Sequence, residues 1–174
     1  MAKANGTDIT DERAVPKIGV HSVVLESPMN ANPSIAAQAA GRRPHSLKEV
    51  AQWGHELGGV DSFLREFLDE FYVEHDETAR TAMLQEEPPL GADDRANAYL
   101  AAVAEHLALR NHLLVPGWTG HKARFLRHPF FPCGLESLKA TLLVESPTAF
   151  RRRMIFVGND PLSRPRRDTV GIGQ

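Results

Sequence analysis

The residues able to do chemistry are numerous but scattered. Eight histidines and one cysteine, Cys133, supply the metal-ligand and nucleophile types in this 174-residue chain. A helical zinc site needs two histidines one turn apart with a glutamate between them, and no H-E-x-x-H is present. His55-Glu56, His75-Asp76-Glu77 and Glu105-His106 pair ligand types as neighbours, which a helix turns to different sides. His106 and His112 diverge for the same reason, and His121, His128 and Cys133 can meet only through loop geometry. The expectation is solvated or hydrogen-bonded histidines, with no metal and no cofactor.

Nucleophilic chemistry is as thinly supported. Cys133 stands between Pro132 and Gly134, ahead of an expected helix whose N-terminus would lower a thiol pKa. A catalytic thiol also needs an activating base, and no histidine is singled out, His128 included. Gly58-Gly59 lacks the Lys-Ser/Thr that a phosphate-cradling loop requires. No catalytic residue is assigned, and a binding protein is expected in preference to an enzyme.

The elements that must position these residues read as helical. Residues 1–45 mix small, polar and proline residues without a period and read as a flexible N-terminal arm, with strand propensity only at 20–25. Ser46 and Glu49 have capping-box spacing, and Leu47, Val50, Ala51 and Leu57 keep helical spacing to a stop at Gly58-Gly59. Asp61 is the expected cap of a second helix. Its Phe63, Leu64, Phe67, Leu68 and Phe71 form one apolar stripe, with Glu66, Asp69 and Glu70 opposite. Further helices are predicted from Asp76 to about Gln85, from Asp93 to about Arg110 and from Leu135 to Val144. A last one runs from a Ser146 cap through Arg153. The stretch between Arg110 and Leu135 is an aromatic-rich loop. The prediction is an all-α, compact bundle of about six helices over 46–164, then a loose tail at 165–174. No segment approaches the roughly 18 apolar residues of a membrane span, and the cytoplasm is the expected compartment.

Charge is the remaining signal. The chain is near neutral at −2, but Asp61–Asp94 holds eleven carboxylates against two Lys/Arg, and Arg151–Gln174 holds six arginines against two aspartates. Either the two ends neutralise one another or they face partners. Arg151, Arg152 and Arg153 cannot share one helix face, so an internal ion pair for at least one is expected. The two helices across Leu47–Leu68 superficially resemble a DNA-reading helix-turn-helix. Three carboxylates on the second would be repelled by phosphates, so a structural hairpin is the preferred reading.

The series FLREFLDEFY (63–72), QEEPP (85–89), AYLAAVAEHLAL (98–109), PGW (116–118), GLESLKATLLVESPTAFRRRMIFV (134–157) and PLSR (161–164) resembles a family of small uncharacterised bacterial proteins. These are often encoded beside a nucleotidyltransferase-like gene in two-gene toxin–antitoxin-type modules. The resemblance covers about residues 46–164, and ESPTAFRRRMIFV is its most distinctive part. It implies an antitoxin that silences a cognate nucleotidyltransferase-like toxin by direct contact, and it carries no catalytic residues. The partner-binding residues expected are Glu66, Asp69 and Glu70, the aromatics Trp118, Phe130 and Phe131, and Arg151, Arg152 and Arg153. The alternative is a nucleic-acid-binding regulator that uses the C-terminal arginines.

Overall fold

In the computed structural model, residues 33–164 are described and form seven α-helices with no strand among them. They are α1 (Pro33–Ala39), α2 (Leu47–Leu57), α3 (Val60–Val73), α4 (Glu77–Gln85), α5 (Asp94–Arg110), α6 (Lys139–Glu145) and α7 (Thr148–Arg151). The all-α prediction holds, and the six expected helices are α2 to α7. The run at 20–25, the rest of residues 1–32 and the tail 165–174 lie outside the described residues.

α2 starts on the predicted capping box. Ser46 Oγ accepts the Glu49 N–H at 3.2 Å, and the Glu49 carboxylate reaches back one residue further, to the His45 N–H at 2.6 Å. Gly58 and Gly59 both take positive φ and turn the chain into α3. Their turn is tight because α2 carries Gly54, where an added Cβ would lie 2.7 Å from the Val60 Cα. α3 therefore begins at Val60 on Gly59, and Asp61 sits in its first turn instead of capping it. The predicted stripe is core: Leu64, Phe67, Leu68 and Phe71 are buried, and Phe63 packs edge-on against Trp53.

α1 falls in a segment whose sequence was expected to be aperiodic. Pro33 opens it, alanines favour it, and it packs on α2 with Ile35, Ala36 and Ala39 half-buried.

α5 is the axis of the fold. It packs against α2, α4, α7 and the loop that follows it, and it is buried on most of its circumference. Leu100, Val103 and Leu107 are inside, and so are Ala98, Ala101, Ala102, Ala104 and Ala108, small enough to let neighbouring backbone approach. His112 ends the helix in the left-handed region, where the Leu113 N–H returns to the Ala108 carbonyl at 2.8 Å.

Between α5 and α6 the chain is a loop with short 3₁₀ turns at Gly117–Gly120 and Lys122–Arg124. α7 is shorter than predicted and has Pro147, not Ser146, at its cap. The Ser146 hydroxyl is engaged elsewhere. It lies 2.6 Å from the Leu142 carbonyl and 2.9 Å from both the N–H and the carbonyl of Val157, and clasps the C-terminal strap to the end of α6. That strap pairs with the loop: the Phe130 N–H donates to Met154 and the Phe156 N–H to Phe130.

Candidate functional site

The acidic face of α3 is covered by arginines from both sides of the chain. Glu70 accepts from Arg43 at 2.8 Å, and Asp69 accepts twice from Arg164, at 2.9 and 3.3 Å. Glu66 adds its field to Arg43. Part of the charge asymmetry in the sequence is thus satisfied within the fold, and Arg164 is the C-terminal arginine that does it.

The α3–α4 corner is also acidic at the surface. The Glu74 carboxylate accepts the N–H groups of His75 and Asp76, at 2.7 and 2.8 Å, which holds its pKa below the usual carboxylate range. Asp76 caps Thr78, and Glu77 follows in the first turn of α4.

The arginine triplet is divided. Arg151 is exposed, Arg152 reaches Glu105 at 2.9 Å, and Arg153 is fully buried with its ion pair to Glu105 at 2.6 Å. Arg153 also donates to the carbonyls of Ala149 and Thr119, at 2.7 and 2.6 Å. Burial pulls the Arg153 pKa down while the Glu105 carboxylate holds it up. Both guanidinium groups lie over the Phe125 ring.

A second buried arginine, Arg124, sits beside this network. It lies over Trp118, 5.0 Å from the ring centroid, and donates to Pro88 and Glu87. Glu87 also meets His121 at 3.1 Å. Burial works to raise the Glu87 pKa, and the His121 and Arg124 hydrogen bonds outweigh it, leaving the carboxylate lowered. Trp118, expected as a docking residue, is 5% exposed and donates its indole N–H to the Leu84 carbonyl, so it anchors the loop from within.

Phe130 and Phe131 are half-buried. Arg95 lies over Phe130, and Phe131 stacks on Phe156 with ring centroids 5.0 Å apart. Cys133 and His128 are both exposed and share no hydrogen bond among the described residues. Among the described residues no group of three His, Cys, Asp or Glu side chains is placed to hold a metal, and no helix among them is long and apolar enough to cross a membrane.

Two surfaces were absent from the sequence reading. One is a set of exposed apolar side chains around the buried Leu142, namely Leu135, Leu138, Leu143 and Val144, the last 78% exposed. The alternation of Leu142 with Leu143-Val144 on so short a helix was its available signal. The other is a groove of about 920 Å³ between the start of α5 and the loop, lined by Asp93, Asp94, Arg95, Lys122, Phe125, Arg127, His128 and Phe130 among others. Glu105 was also missed. It stands four residues after Ala101 and three before Ala108, on an apolar side of α5, a spacing that marks a buried carboxylate. No protein-family model, curated protein or solved structure matches the chain.

Proposed function

We propose that the protein is an antitoxin-like binding protein that neutralises a nucleotidyltransferase-like toxin by direct contact. The observation that carries the reading is the exposed apolar content at and just before α6. Four large apolar side chains stand exposed within ten residues, at Leu135, Leu138, Leu143 and Val144, where water contact is unfavourable and a partner would remove it. The acidic corner at Glu74, Asp76 and Glu77 complements an enzyme that must be basic to handle nucleotides or RNA, and it would steer the encounter. The resemblance of residues 46–164 to proteins of two-gene modules supplies the partner class.

Asp69 and Glu70 contribute less to such an interface than their sequence implies, because Arg164 and Arg43 already pair with them. The nucleic-acid alternative loses support for a similar reason: Arg152 and Arg153 are turned to Glu105, and Arg151 alone of the three is exposed without an ion pair among the described residues.

The test is co-expression with the product of the neighbouring gene. Relief of toxicity and co-purification are expected, and Leu143→Glu with Val144→Glu should abolish both while leaving helix content unchanged. Failure of the parent protein to rescue and to co-purify refutes the reading.

A further inference from the structure

The groove between α5 and the loop has a composition that the partner-binding reading does not use. Lys122 and Arg127 are exposed and form no ion pair among the described residues, and His128 stands beside them. The loop from Pro116 to Phe130 contains no carboxylate at all. The opposite wall carries Asp93, Asp94 and Arg95: the Asp93 carboxylate accepts the Arg95 N–H at 2.9 Å, and the Asp94 carboxylate forms no hydrogen bond or ion pair among the described residues. Phe125 and Phe130 also line the groove, Phe125 in contact with Arg152 and Arg153 and Phe130 with Arg95.

Each wall alone is ordinary. Together they suit a ligand with a strongly anionic end, a flat aromatic part and hydroxyl or amino donors. A simple polyanion would be opposed by Asp94, and an apolar ligand would leave the cations and the carboxylate without partners. A nucleoside phosphate has all three features, because its phosphate takes the cations, its base the rings, and its ribose hydroxyls donate to a carboxylate. The groove volume of about 920 Å³ lies within the range of roughly 300–1,000 Å³ of small-molecule sites. We infer that this groove binds a nucleoside phosphate, free or as part of a strand, with Lys122, Arg127 and His128 on the phosphate and Asp94 on the sugar.

The experiment is calorimetric titration of the full chain with the four ribonucleoside diphosphates, adenosine, inorganic phosphate and a short oligoadenylate. At least one diphosphate should bind, with adenosine and phosphate each weaker by about tenfold or more. Lys122→Ala with Arg127→Ala should weaken it by about tenfold or more, and Arg151→Ala, outside the groove, should not. Asp94→Asn should weaken the diphosphate and leave phosphate binding unchanged. A diphosphate that binds as well as the oligomer marks a free nucleotide. Binding of the oligomer alone, lost in the same double variant, marks a strand. The inference is overturned if neither binds, if binding survives the double variant with an unchanged melting curve, or if inorganic phosphate binds as tightly as the diphosphates.

Discussion

The α2–α3 hairpin and the loop after α5 are both packed against the same core, by opposite means. The hairpin buries Val50, Trp53, Leu64, Phe67 and Phe71 and keeps its charges outside. The loop is pinned by two fully buried arginines, Arg124 and Arg153, each set against an aromatic ring and backbone carbonyls. Non-directional apolar packing needs only periodicity to form, whereas a buried guanidinium needs its partners in place before burial is tolerable. A segment without helical hydrogen bonds or a large apolar stripe can still be held by cations whose donors satisfy the carbonyls that such a segment leaves over.

The largest effect should come from the hairpin. Phe67→Ala empties a fully buried site and should cost roughly 4 kcal/mol in denaturant unfolding. A loss below about 1 kcal/mol would mean that the stripe is not core. Glu105→Ala comes next. It leaves Arg153 buried without its carboxylate and should cost about 3 kcal/mol, whereas Glu105→Leu with Arg153→Met should return to within about 1 kcal/mol of the parent. If the double variant is as unstable as the single, Arg153 is held by its carbonyls and not by the charge pair.

A smaller effect concerns His106, half-buried against Phe150, whose pKa burial pulls down with Arg110 acting in the same direction. The unfolded chain takes up this proton first, so the contribution to stability is full above the ordinary value of 6.5 and is lost as pH falls below it. Thermal melts between pH 7.5 and 5.5 should show a shallower decline for His106→Phe than for the parent. Equal slopes would place the sensitivity elsewhere. The smallest effect should be at the covered acidic face, where Asp69→Asn breaks a part-exposed pair with Arg164. Its cost should be about 0.2–1 kcal/mol and should shrink further at high salt. A larger, salt-independent loss would make the Arg164 contact a structural clamp comparable with the buried arginines.

Local chemistry determined most of the helices. The Ser46–Glu49 box, the Gly58-Gly59 stop, the Phe63–Phe71 stripe and the Asp76 and Asp93 caps act within a few residues, and the sequence alone specifies them. The expectation that the arginine triplet must divide also followed from helix geometry alone. What tertiary structure decided was the fate of the charges and the aromatics. Trp118 is an internal anchor because Leu84, thirty-four residues away, offers its carbonyl. Asp69 is covered because the chain returns ninety-five residues later with Arg164. Glu105 finds Arg153 across forty-eight residues, and the groove joins the start of α5 to a loop some thirty residues on. None of these partners lies within reach of a local period. Only the fold brings them together, and the partner then determines whether each charge or ring is a surface or a core.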